Sequence, residues 1–165
     1  MTLYSTVPSP IGELMLCGDE HALTALHLPG RWPKPAAGWR RDDARFADVA
    51  RQLEEYFAGD RTTFDVPMSM RGGPFERAVW AELLRIPYGE TASYGELARR
   101  LGRPLAARAV GAANGRNPIA VIVPCHRVIG SDGTLTGYAG GLERKRFLLE
   151  LEAPEVAAAA AARLF

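Results

Sequence analysis

The segment from Pro67 to Pro74, with Arg71-Gly72-Gly73 between its prolines, constrains the fold more than any other stretch of the chain. Proline removes a backbone donor and glycine loosens the backbone, so neither a helix nor a strand continues through it. The apolar pattern changes character across it, from a meander of strands with one helix before to helical faces after. A chain of 165 residues, 47% of them hydrophobic, can bury one core or two small ones. The break predicts two domains, 1–72 and 73–165.

In the first part, Thr2–Val7, Glu13–Cys17 and Ala22–Leu28 read as strands of a small antiparallel meander, separated by Pro8-Ser9-Pro10-Ile11-Gly12 and Gly18-Asp19. Residues 29–40, with three Pro, two Gly and two Trp, read as an exposed loop. Asp42 or Asp43 then caps a helix in which Phe46, Val49, Ala50, Leu53 and Phe57 recur at helical spacing. Gly59-Asp60 ends it, and Phe64-Asp65-Val66 reads as one more short strand.

In the second part, Phe75, Val79, Leu83 and Ile86 share one helical face, stopped by Pro87-Tyr88-Gly89. Ser93 followed three residues later by Glu96 is the spacing of a capping box and opens a helix to Leu101. Gly102-Arg103-Pro104 turns the chain into a second helix, Ala106–Ala113, so that 93–115 has a helix-turn-helix pattern. An ordinary helical hairpin has the same pattern. Ile119–Val123 is wholly apolar and β-branched, which predicts a buried strand ended by Pro124. Leu142 or Glu143 begins a last helix that ends near Pro154, and Ala157–Ala162 is low-complexity.

Charge is uneven. Before Gly73 there are 8 basic and 10 acidic residues, and from Gly73 onward 12 basic and 9 acidic. Residues 92–116 hold Arg99, Arg100, Arg103, Arg108 and Arg116 against Glu96 alone. Such a surface attracts phosphates, although a solvated helix face has the same composition. No run approaches the roughly 18 apolar residues of a membrane span. Met1-Thr2-Leu3-Tyr4-Ser5 lacks the basic start and apolar stretch of a signal peptide, which predicts a cytoplasmic protein without a membrane partner. Cys17 and Cys125 are not spaced as a metal site or redox pair, and in a reducing compartment each is a free thiol.

Cys17 sits inside an apolar strand, the usual place of an inert cysteine. Cys125 differs, because it follows Pro124 and is followed by His126 and Arg127. A thiol becomes a strong nucleophile as a thiolate, so it needs a base, and the base needs a third group to fix its tautomer. His126 can serve as the base. Glu150 and Glu152 on the last helix are both candidates for the third group. Three readings stand on these residues: a catalytic thiol, a helix-turn-helix binding module in which Cys125 is core, and a Cys-His hydrolase.

The stretch Asn117-Pro118-Ile119-Ala120-Val121-Ile122-Val123-Pro124-Cys125-His126-Arg127-Val128-Ile129-Gly130 resembles the active-site signature of the O6-alkylguanine-DNA alkyltransferases, also called methylated-DNA–protein-cysteine methyltransferases. The likeness continues through Ile86-Pro87-Tyr88-Gly89-Glu90-Thr91, Ser93-Tyr94, Arg108-Ala109-Val110-Gly111, Gly137-Tyr138-Ala139-Gly140-Gly141-Leu142 and Lys145-Arg146-Phe147-Leu148-Leu149, with Ser9-Pro10-Ile11-Gly12 near the start.

The resemblance implies an α+β chain: a small ribonuclease H-like α/β domain, then a helical, winged-helix-like domain carrying DNA binding and the active site. It implies that Cys125 takes an alkyl group from guanine O6 irreversibly, once per molecule, with His126 as base through a water and Glu152 orienting it. Tyr94 and the Ala139 backbone N–H would donate to the departing base, and Asn117 would tie the helix-turn-helix to the cysteine loop. Pro124, Val128, Gly137, Tyr138 and Ala139 would line the base pocket, with the Cys125 and Val128 carbonyls reading the guanine amino group. The implied partner is double-stranded DNA bound by its minor groove, with the base flipped out. Arg108 would replace that base, and Ala109, Gly111, Ala112 and Ala113, together with Tyr94, would let the second helix approach the groove. Cofactor and metal are expected to be absent. Some relatives bind zinc in the N-terminal domain, but Cys17, His21 and His27 do not match that placement. The chain departs from the family in having Ala153, not glycine, after Glu152. Relatives that only sense damage carry tryptophan where Cys125 stands.

Overall fold

The computed structural model describes residues 1–162, so the last three residues of the expected second domain lie outside the described residues. The chain divides into two compact units.

The first unit comprises Met1–Arg71 together with Pro118–Ile122. Strands β1 (Leu3–Val7), β2 (Leu14–Gly18) and β3 (Leu23–His27) form the expected antiparallel meander. In β1 the inward residues Leu3, Ser5 and Val7 are buried and alternate with partly exposed ones, the signature of a sheet with one covered face. A short strand inside the expected loop, β4 (Arg40–Arg41), pairs parallel with β1 and gives the order β3-β2-β1-β4. Gly18 marks an irregularity in the β2–β3 ladder, where a Cβ would stand 2.4 Å from the Ala22 carbonyl oxygen.

Helix α1 (Ala47–Phe57) buries Val49, Gln52, Leu53 and Tyr56. Its N-cap is Phe46, without a side-chain cap, rather than either aspartate. Asp42 closes the preceding turn by accepting from the Arg45 N–H at 3.1 Å, while Asp43 accepts from the Ser5 hydroxyl at 2.6 Å. Both carboxylates were engaged before the helix begins. Phe64-Asp65-Val66 is not a strand. The Gln52 amide both donates to the Asp65 carbonyl and accepts from its N–H, at 2.9 and 2.8 Å, so a side chain satisfies the backbone where a ladder was expected.

The apolar run after Pro118 is buried but hardly a strand. Ile119 alone forms a bridge, to Leu26, and the chain then turns. Val121 has φ 72, the left-handed region that a β-branched residue rarely adopts.

The second unit comprises Gly72–Asn117 and the chain from Val123 onward. Helix α2 (Pro74–Leu83) starts with proline at its first position and Glu76 accepting from the Gly73 N–H at 3.1 Å. It buries Val79, Trp80 and Leu83, and the Trp80 indole donates to the Ala113 carbonyl at 2.9 Å. Strand β5 (Ala92–Ser93) leads into α3 (Tyr94–Arg100), and the Ser93/Glu96 capping box is present as expected. Helix α4 (Ala107–Gly115) follows the turn. A 3-10 turn at Cys125–Arg127 opens into β6 (Val128–Ile129), which pairs parallel with β5. Helices α2 to α4 with this small sheet make the winged-helix-like body.

Helix α5 (Leu142–Glu152) runs where expected. The low-complexity tail is helical too, as α6 (Pro154–Ala162), because Ala157 and Ala160 pack with Leu135 and Leu149 in one apolar cluster. No described helix is long and apolar enough to cross a membrane.

Replacing Ser93 by Ala removes the hydroxyl that caps α3 and leaves the Glu96 N–H unsatisfied. It should lower stability by about 1 kcal/mol, read from the urea midpoint at unchanged slope.

Candidate active site

Residues Lys145, Leu148, Leu149 and Glu152 are the buried set of α5, at the spacing of one helical face. Two charged side chains therefore sit on an otherwise apolar stripe, one near each end. Glu150 is off that face and exposed.

The Glu152 carboxylate is fully engaged. Its Oε2 lies 2.7 Å from His126 Nε2, and Arg127 donates from Nε to Oε1 at 2.6 Å and from Nη2 to Oε2 at 3.2 Å. Burial alone would raise this carboxyl, but the hydrogen bonds from His126 and Arg127, together with the Arg127 charge, outweigh it and hold the group down at about 2. An ionised carboxylate only accepts, so His126 Nε2 carries a proton. Burial pushes the His126 imidazolium down against the pull of Glu152, so the ring is uncharged and its Nδ1 holds a lone pair. Among the described residues no group bonds that buried nitrogen.

Cys125 is buried at the start of the 3-10 turn. Desolvation raises its thiol, opposed by the Asn117 side chain, the Lys145 charge and the Tyr138 hydroxyl. The resting group is a neutral thiol. Cys17 in β2 is held at about 11 by burial alone. The two cysteines are both buried, but only Cys125 has polar groups gathered round it. Asn117 Nδ2 donates to the Val123 carbonyl at 2.8 Å, and Asn114, one turn earlier, donates to the Cys125 carbonyl at 3.4 Å. The end of α4 and the residue just past its C-cap thus fix the cysteine loop from two points.

Lys145 is fully buried, and its Nζ donates to the carbonyls of Thr136 and Gly137 at 2.7 and 3.3 Å, anchoring the loop before α5. Burial lowers it to about 8. The Tyr94 hydroxyl donates to the same Thr136 carbonyl at 3.1 Å, and its ring covers Gly111.

The residues expected to meet DNA divide. Arg108, Ala109 and Ala112 are exposed on α4, and Gly111 is half-buried under Tyr94. Ala113, expected with them, is buried and engaged through its carbonyl by Trp80, so it belongs to the core. Of the expected pocket, Gly137 and Ala139 are exposed in the loop and Tyr138 is half-buried, but Pro124 and Val128 are buried. The Cys125 carbonyl accepts from the Val128 N–H and, at 3.4 Å, from Asn114.

Sequence reasoning left out Arg127, Lys145 and Asn114. Helical spacing carried a signal for two of them, since Lys145 is in register with Glu152 and Asn114 with Val110. Arg127 had only its adjacency to His126. Among the described residues no group of three His, Cys, Asp or Glu side chains is placed to hold a metal ion. Chemically, the arrangement offers a buried thiol, a neutral base and a fixed carboxylate, with Tyr94 and the 136–141 loop close by.

Comparison with known proteins gives one family for both units. Residues 2–70 match the ribonuclease-like domain of 6-O-methylguanine DNA methyltransferase, and 74–154 match its DNA binding domain. A methylated-DNA–protein-cysteine methyltransferase of Mycolicibacterium paratuberculosis is 54% identical over 153 residues, covering 92% of this chain and 93% of its own. One from Methanosarcina acetivorans is 50% identical, covering 90% and 97%. The crystal structure of Mycobacterium tuberculosis OGT in complex with DNA is similar with a TM-score of 0.86, 54% identity and coverage of 93% and 96%.

A carboxyl at about 2 when folded and near 4.5 when free contributes stability above about 4.5, which is lost as pH falls towards 2. Replacing Glu152 by Gln should cost about 3–5 kcal/mol at neutral pH, because Arg127 stays buried without its counter-charge. The gap between wild type and variant should narrow as unfolding is measured at successively lower pH through that window. A constant gap would show that the carboxylate charge is not what stabilises the site.

Proposed function

Because the chain belongs to the 6-O-methylguanine DNA methyltransferase family, we propose that it reverses alkylation damage in DNA by moving the alkyl group of O6-alkylguanine onto Cys125. The observation that carries this reading is the buried Cys125 thiol beside a neutral His126, which Glu152 holds at 2.7 Å.

His126 Nδ1 accepts the thiol proton, through a water, and the sulfur attacks the alkyl carbon in line with its bond to O6. The S–C bond forms as the C–O6 bond breaks, and the electron pair leaves with the guanine oxygen. The proton removed from sulfur is balanced by one delivered to the base, which departs as ordinary guanine. Charge building on the base needs donors in a dry site. The Tyr94 hydroxyl supplies one by exchanging the Thr136 carbonyl for the base, and the Ala139 N–H supplies another. The thioether is stable and no neighbouring group restores the thiol, so each molecule acts once.

A buried thiol cannot reach a base inside a duplex, so the nucleotide is extruded. The exposed Arg108 on α4 fills the gap, while Ala109 and Ala112 keep the helix surface low enough for the minor groove. Arg99, Arg100 and Arg103 add to the electrostatic pull on the phosphates. Domains 1–72 and 73–165 divide the labour, with binding and chemistry in the second. We place the protein in the cytoplasm, where both cysteines stay reduced.

Intact mass measured after mixing with DNA containing O6-methylguanine should rise by one CH2 unit, mapped by peptide analysis to Cys125. Cys125→Ser should bind the same DNA and gain nothing. Transfer continuing beyond one equivalent would sink the single-use chemistry and favour a hydrolase. Binding with no transfer by the wild type would favour a DNA-binding module.

Removing the Arg108 side chain should slow repair in duplex DNA at least about tenfold, with far less effect on a single strand, where extrusion costs little. Equal losses on both substrates would assign Arg108 to folding or to the chemical step.

A further inference from the structure

His126 faces a difficulty that its own position creates. A buried carboxylate beside an imidazole favours the ion pair, because each charge then finds a partner in a place that water does not reach. An imidazolium carries protons on both nitrogens and has no lone pair left for the Cys125 proton. The base therefore works only if something other than His126 balances Glu152.

We propose that Arg127 is a positioning residue that neutralises Glu152 and so keeps His126 an uncharged base with its lone pair on Nδ1. This rests on the alkyl-transfer reading given above. The fork is two-pronged, with Nε on Oε1 and Nη2 on Oε2. It matches the planar carboxylate in the way only arginine does, and the guanidinium cannot lose its proton. Its remaining nitrogen is spent on the Ile86 carbonyl at 2.6 Å, and its plane lies over the Tyr88 ring at 5.8 Å. The Tyr88 hydroxyl in turn donates to the Leu151 carbonyl at 3.2 Å. The arginine is held from three sides, which keeps its charge at the carboxylate.

The other groups around the imidazole act in the same direction or not at all. Lys145, on the same face of α5 as Glu152, is cationic and also disfavours an imidazolium. Cys125, Tyr138 and Tyr88 are all raised by burial and stay uncharged at neutral pH. Glu152 is thus the one anion that attracts a second proton to His126 among these groups, and Arg127 is its counter-charge.

The chain has three histidines, so His126 can be followed by nitrogen NMR on the full-length protein without DNA. In the wild type at pH 7, Nε2 should carry the proton and Nδ1 should not. In Arg127→Gln the His126 midpoint should rise by about one pH unit or more. Adding Glu152→Gln to that variant should bring it back down. Single-turnover transfer should follow, with the acid limb of the rate profile of Arg127→Gln moved to higher pH and rates converging on wild type above it. A purely structural role would instead lower the rate by one factor at every pH.

A doubly protonated His126 in the wild type at pH 7, or an unchanged midpoint in Arg127→Gln, overturns the proposal. If Arg127→Gln does not fold, Arg127→Lys replaces it. Lysine keeps a positive charge beside Glu152, so the His126 midpoint should then stay near wild type, and a rise of about one pH unit or more is fatal. The NMR arm needs no substrate, so failure of the alkyl-transfer reading would show as absent transfer by a wild type whose His126 spectrum is as expected.

Discussion

One buried carboxylate organises the second unit. Glu152 cannot remain ionised in an apolar interior without partners, and its partners come from far along the chain. His126 and Arg127 reach it from the 3-10 turn, and Arg127 continues to the Ile86 carbonyl beyond the end of α2. The last turn of α5, the cysteine turn and the end of α2 are therefore joined through a single side chain. Tyr88 adds to this by donating to the Leu151 carbonyl next to it. The same contacts fix the His126 tautomer, so stability and chemical readiness have one physical source.

The nucleophile follows a different logic. Cys125 is not a pre-formed thiolate, because burial raises it more than its neighbours lower it. Keeping the thiol neutral protects it from solvent oxidants and leaves activation to the base. Asn117, Lys145 and Tyr138 surround the sulfur with groups able to stabilise negative charge once it forms. Lys145 does a second task, tying down the Thr136 and Gly137 carbonyls of the loop that carries the exposed Ala139. Asn114 at the end of α4 and Asn117 just beyond it hold the other side of the turn, so α4 and the cysteine loop are mechanically continuous.

The Thr136 carbonyl is shared by Lys145 and Tyr94. With two donors on it, that carbonyl stays satisfied by Lys145 if the Tyr94 bond is lost. The Tyr94 ring lies against α4 at Gly111, where a Cβ would meet it at an ordinary contact distance of 3.7 Å.

Much of this was legible without coordinates where local rules decide. The meander of β1 to β3, the Ser93/Glu96 capping box, α5 and its end near Pro154 all follow from short-range periodicity and turn chemistry. The signature around Cys125 pointed to the nucleophile and its base. Sequence alone left Glu150 and Glu152 as equals, and family likeness chose between them; the structure brings Glu152 to His126 and leaves Glu150 in solvent. Where the reading failed, a distant partner had intervened. Gln52 takes the backbone bonds that Phe64-Asp65-Val66 would have placed in a ladder, and Ile119–Val123 turns through Val121 instead of extending. Trp80 claims Ala113 for the core, and α6 forms from alanines that have little pattern of their own but a cluster to pack against. Sequence determined most of the elements and singled out Cys125 with His126 as candidates, because spacing and residue type act over a few positions. Tertiary structure decided which charges meet, because the partner of a buried charge is set by packing between segments far apart in the chain, and no local pattern records it.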